Sequence, residues 1–134
     1  MRAVQVYSFK SEPKLADIPR PEPRKNEILV KIGACGLNFA DLLMVEGTYQ
    51  DTPEPPFTLG LEAAGTIQTC GEDVTHLAPG QRVAVFGGKG GLADYACFDA
   101  TRAVPLPDDM PFEHAAAFLV AYGTSHVALD YKAG

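Results

Sequence analysis

Residues 27–43 read EILVKIGACGLNFADLL, and the change of period inside this stretch decides the fold. In its first half Ile28, Val30 and Ile32 share one face of an extended chain, the period-two pattern of a half-buried strand. In its second half Asn38 is a good N-cap residue, and Asp41 follows at the third helical position, the spacing of a capping box. Phe39, Leu42, Leu43 and Val45 then recur at helical spacing until Gly47 stops them. The stretch predicts a strand running into a short helix over about 39–46.

The same reading extends in both directions. RAVQVYSF near the N-terminus predicts a strand, and the polar run from Glu12 to Lys25, with three prolines between residues 19 and 23, predicts a loop. TYQDTPEPPFTLG is a second loop. After it AAGTIQTC, QRVAVF, LADYACF and RAVPL read as short strands separated by GED, APG and GGKGG turns, the last read as a hairpin turn. Short strands at near-regular spacing predict a barrel or strongly curved sheets. From Pro111 the period changes: FEHAAAFLVAY is helical, Gly123 interrupts it, and TSHVALDYK resumes with Thr124 as cap and Gly134 as stop. The expected fold is mainly β with short helices, in a single domain over residues 1–134.

Composition narrows the function classes. With 134 residues the chain has the length of about one domain, and 46% hydrophobic against 21% charged residues is the balance of an ordinary globular protein. A net charge of −6, with no run among the 11 basic residues, argues against nucleic-acid binding. The N-terminal MRAVQVYSFKSEP has no apolar core of a secretory signal. The longest apolar stretch, AAAFLVAY, is far short of the ~20 residues that span a bilayer. A soluble, cytoplasmic protein without membrane partners is expected.

The chemistry-bearing residues are few. Cys35, Cys70 and Cys97 are odd in number and widely spaced, so they read as reduced, mostly buried thiols. His76, His114 and His126 are scattered, with no ligand spacing, so no metal site is expected. GGKGG at 87–91 lacks both phosphate-binding glycine fingerprints. Glu62 lies in TLGLEAAGTI, apolar enough to be buried, and a buried carboxylate needs a partner or a shifted pKa; it reads equally as a site residue and as a structural ion. Tyr49, in an irregular loop, reads as an aromatic packing that loop or as part of a site.

CGLNFADLL, then G-x-Y at 47–49, PFTLGLEAAGTI, APGQRVAVF, GGLADYA and AAAFLVAYGTSHVAL, in this order, resemble the N-terminal part of the medium-chain dehydrogenase/reductases. Among them the resemblance is to the quinone oxidoreductase branch related to zeta-crystallin. It implies a GroES-like, partly open β-barrel. It also implies hydride transfer from NADPH to a small-molecule quinone or enone. In zinc-dependent members a cysteine ligand stands at the position of Asn38 and a histidine ligand at that of Leu61, so the resemblance implies a zinc-independent enzyme. A quinone spreads the charge that forms on reduction over its π-system, and a hydrogen-bond donor can replace the Lewis acid. Positions matching Asn38, Asp41 and Thr124 lie near the nicotinamide in that branch, and the position of Tyr49 lies in the substrate pocket. Asn38 and Tyr49 are thus the expected catalytic pair, and Leu43, a tyrosine in several relatives, is expected to make the pocket more apolar or differently shaped.

Family members continue into a Rossmann domain just past the position of Gly134. The chain is therefore expected to hold the catalytic domain without its cofactor half, and to bind NADPH weakly or not at all by itself. A stand-alone binding module, with an open edge that would permit a homodimer, and part of an enoyl-thioester reductase are the alternatives.

Overall fold

The ten-residue strand β3 (Glu27–Gly36) is the spine of the computed structural model, which describes residues 1–132 and side chains as far as Leu129. It pairs antiparallel with β5 (Glu62–Cys70) on one side and β7 (Tyr95–Asp99) on the other. With β6 (Arg82–Phe86) and β8 (Ala103–Pro105) these form a five-stranded sheet in the order β7-β3-β5-β6-β8. A second sheet has β1 (Arg2–Val6) between β2 (Lys14–Asp17) and β4 (Phe57–Thr58). Every pairing is antiparallel, and neither sheet closes on itself.

The predicted face of β3 meets the core only in part. Ile28 and Val30 are buried with Ile67, Val83, Val85 and Phe98, and burying each such side chain contributes about 1.5–3 kcal/mol, but Ile32 is half-buried and Leu29, on the other face, is buried too. The opposite face of β5 and β6 offers Ala64 and Ala84, on which helix α2 (Phe112–Ala116) lays Ala115 and Ala116. Small residues on both sides let the helix approach the sheet closely. Arg82 fastens the segment leading into α2, donating to the carbonyls of Pro107 at 2.9 Å, Asp108 at 3.1 Å and Met110 at 2.5 Å. Its guanidinium also lies 4.3 Å from the Phe112 ring centroid. A third cluster sits under helix α1 (Phe39–Glu46), where Met44 packs with Val6, Phe57, Leu59 and Leu61.

Three local expectations are corrected. The run from Glu12 to Lys25 is not all loop: Lys14–Asp17 forms the edge strand β2 along β1. Its side chains are mostly exposed, so no apolar alternation marks it. GGKGG is no hairpin turn, because β6 and β7 are separated by β5 and β3. It is a crossover laid along residues 58–61, with the N–H groups of Gly87 and Gly88 donating to the Leu61 carbonyl at 2.9 and 3.0 Å. The C-terminal helix breaks at Ala117, and helix α3 (Phe118–His126) runs through Gly123 and Thr124. A glycine inside a helix costs about 1 kcal/mol relative to alanine, which weakens a helix without ending it. Thr124 is therefore no cap. A wider π-helical turn continues over Val127–Lys132, and the expected stop at Gly134 lies outside the described residues. No helix among the described residues is long and apolar enough to cross a membrane.

Candidate functional site

The strand-to-helix turn after β3 places Asn38 at the start of α1, in extended backbone at φ −128° and ψ 158°. Asp41 stands at the third helical position in capping-box relation to it, and its Oδ2 accepts from the Asn38 N–H at 2.8 Å. The other Asp41 oxygen accepts from the Gly60 N–H at 3.2 Å, inside the protein. Asp41 is thus a buried carboxylate with both oxygens engaged by backbone, tying α1 to the chain before β5. At the far end of α1, Gly47 takes the left-handed conformation, φ 79°, that closes a helix at little cost.

The partners of Glu62 decide between its two readings. It is 2% exposed, and its Oε1 accepts from Nδ2 of Asn38 at 3.2 Å. Its Oε2 accepts from the N–H of Val120 at 2.9 Å. Val120 is the third residue of α3, so this N–H is one of the donors that a helix start leaves without an internal partner. A carboxylate there also meets the positive end of the helix dipole. Glu62 therefore caps α3 from another strand while holding the Asn38 amide. Gly36 makes the approach feasible: a Cβ at this position would stand 2.5 Å from the Ala116 carbonyl oxygen and 2.6 Å from Glu62 Oε1.

The neighbouring Cys35 thiol is pushed up to about 12, first by burial and then by the charges of Asp41 and Glu62. At neutral pH it stays protonated, a poor nucleophile and a poor metal ligand. Burial and then Glu27 push Cys97 up to about 11. All three cysteines are free and partly exposed, less buried than expected. His76 Nε2 lies 3.3 Å from the Ala100 carbonyl oxygen, and the described residues hold no group of three or more His, Cys, Asp and Glu fit to bind a metal ion.

Beside this network opens a cleft of about 670 Å³, lined mostly by apolar groups including Ala40, Leu61, Phe86, Leu119 and Val120. Tyr49 and Thr124 both line it. The structure thus brings together Tyr49 from the loop after α1 and Thr124 from mid-α3. Asn38 and Asp41 are not among the cleft's lining residues: Asn38 stands half-buried, linked through Glu62 to Val120 of the cleft, and Asp41 is buried. A second cleft of about 460 Å³ shares Tyr49, Leu61 and Phe86 with the first and adds Asp51, Lys89 and Arg102. A smaller pocket of about 270 Å³, edged by Met1, Ile18 and Phe57, includes none of the expected site residues. Phe86, Leu119 and Val120 went unnoticed in the sequence because apolar residues ending a strand or inside AAAFLVAY look like core. Their exposure to a cleft depends on packing alone.

The fold has counterparts among known proteins. The family model for the alcohol dehydrogenase GroES-like domain matches residues 24–108. The chain is 38% identical over 109 residues to the quinone oxidoreductase-like protein 2 homolog of Nematostella vectensis, covering 81% of this chain and 30% of that protein. The human synaptic vesicle membrane protein VAT-1 homolog-like protein superposes with a TM-score of 0.92 at 33% identity, covering 97% of this chain and 43% of the other. The quinone oxidoreductase of Thermus thermophilus, whose complex with NADPH has been solved, gives 0.84 at 34% identity, covering 96% and 40%. The chain therefore spans well under half the length of these relatives. With its GroES-like region, its open sheets and these relatives in agreement, the chain belongs to the medium-chain dehydrogenase/reductase superfamily and matches the N-terminal part of its quinone oxidoreductase and VAT-1 relatives.

Proposed function

We propose that the chain is the substrate-binding catalytic domain of a zinc-independent, NADPH-dependent reductase of quinones and conjugated enones. The observation that carries this reading is the donor set of the cleft. Leu61 lines it where zinc-dependent relatives carry a histidine, and Asn38, at the cysteine position, has its amide engaged by Glu62. Neither side chain is a ligand for zinc. The cleft surface instead offers apolar walls with the hydroxyls of Tyr49 and Thr124. Such a surface suits a flat, conjugated carbonyl compound whose developing charge is delocalised.

The NADPH complex of the Thermus relative supports the choice of cofactor, which when bound supplies a hydride. In this chain Tyr49 holds the substrate and donates a hydrogen bond to its carbonyl oxygen. Thr124 and Asn38 contact the nicotinamide end, and Asp41 orients Asn38 through its backbone N–H. The apolar walls exclude water and leave orientation to supply most of the catalysis. The chain alone binds dinucleotide weakly, since the N-terminus of α3 already holds the Glu62 carboxylate and is closed to a phosphate.

Steady-state NADPH oxidation by this domain fused to the dinucleotide-binding half of the Thermus quinone oxidoreductase tests the proposal, with a para-quinone, an enone and a saturated ketone as substrates, with and without a chelator. Reduction of the first two only, indifferent to chelator, is expected. Tyr49→Phe should lower kcat/KM about a hundredfold, the lower end of the range for loss of one such donor. Efficient reduction of the saturated ketone, or inactivation by the chelator, would sink it.

A further inference from the structure

We propose that the cleft beside the apolar one is an anion subsite, in which Lys89 and Arg102 take a carboxylate carried by the carbonyl substrate. The inference rests on the proposed role of the apolar cleft as the place where the carbonyl is reduced. The two clefts have Tyr49, Leu61 and Phe86 in common, so a molecule held against Tyr49 can extend from one into the other. Its far end then meets Lys89, Arg102 and Asp51.

The chemistry of this end differs from the rest of the molecule. The whole chain carries a net charge of −6, yet two cations and one carboxylate leave this cleft with one net positive charge. That matches a monoanion such as a carboxylate better than a dianionic phosphate. Among the described residues neither Lys89 nor Arg102 has a carboxylate within ion-pair distance. Arg102 Nη1 donates to the Phe86 carbonyl at 3.3 Å, which anchors the guanidinium at the shared rim. A guanidinium has five N–H donors, so others remain for a ligand. Asp99, whose charge Arg102 feels, accepts from the N–H and hydroxyl of Thr101 through Oδ1. Lys89 stands exposed between Gly88 and Gly90, whose φ of 81° and 94° shape the crossover that carries it. Here GGKGG acts by presenting its lysine, while its glycine N–H groups bond to residues 58, 60 and 61.

The test is equilibrium binding to the 134-residue chain of 2-methyl-1,4-naphthoquinone and of the same quinone bearing a carboxyalkyl chain at C3, followed by tyrosine fluorescence. The carboxylate probe should bind about tenfold tighter than the neutral one at low salt, as two partly exposed charge pairs allow, and the ratio should shrink in ~0.5 M salt. Lys89→Ala with Arg102→Ala should bring the ratio to within about twofold of one, and Asp51→Asn should raise it. Equal binding of both probes by the wild-type chain, or a ratio indifferent to these substitutions, would overturn the anion subsite and leave the reductase reading standing. Binding of neither probe, or binding of both unaffected by Tyr49→Ala, would overturn both. An alkyl phosphate probe that outcompetes the carboxylate would overturn the assignment to a monoanion.

Discussion

Helices α1 and α3 face the same buried carboxylate, yet they are built in opposite ways. α1 contains its own start and stop: Asn38 and Asp41 at one end, Gly47 at the other, with Met44 fully buried beneath it. α3 has no side-chain cap of its own and no buried residue, and its first turn is satisfied by Glu62 from β5. A helix written locally can thus be recognised locally, whereas a helix held by a distant partner has boundaries its own residues do not announce.

Truncation of a side chain on each of the two helices should separate them most sharply. Met44→Ala should cost about 3 kcal/mol by urea denaturation, in the range for emptying a buried methionine site, while Tyr122→Ala in α3, 63% exposed and stacked on Phe118 of the same helix, should cost at most about 1 kcal/mol. Equal costs would erase the contrast. Next in size, Asp41→Ala should cost about 2 kcal/mol, because it removes the cap and leaves the Gly60 N–H buried without its acceptor. If the loss is only that of an exposed cap, a few tenths of a kcal/mol, the buried link between α1 and β5 carries little.

Glu62→Gln should cost about 1 kcal/mol, since one charge-assisted bond becomes a neutral one and the amide can accept through only one oxygen. Its effect should fall on α3: amide exchange at Val120 speeds up while that at Met44 changes little. Uniform exchange changes in both helices would refute the idea that Glu62 is a specific support of α3. A separate effect concerns pH. Cys35 has a raised pKa in the folded chain, so its contribution is fully present below the ordinary thiol value near 9.0 and is lost as pH rises toward about 12. Stability should decline over that alkaline window less steeply in Cys35→Ala than in the wild-type chain. At pH ~8, iodoacetamide should label Cys70 before Cys97 or Cys35, as Cys70 is raised less than either and thiolate is the reactive form.

Strand β3, helix α1 with both its ends, the mainly β class and the resemblance to the quinone oxidoreductase branch were all legible in the amino-acid order. They rest on alternation, capping and turn residues that act within a few positions of one another. Where α3 begins, what GGKGG connects, and which apolar residues face a cleft were settled by packing in three dimensions. Glu62 meets Asn38 across 24 positions and Val120 across 58, and the clefts draw Tyr49, Phe86 and Thr124 from three separate elements. Such partnerships follow from how sheets and helices stack, and periodicity along the chain carries no trace of them.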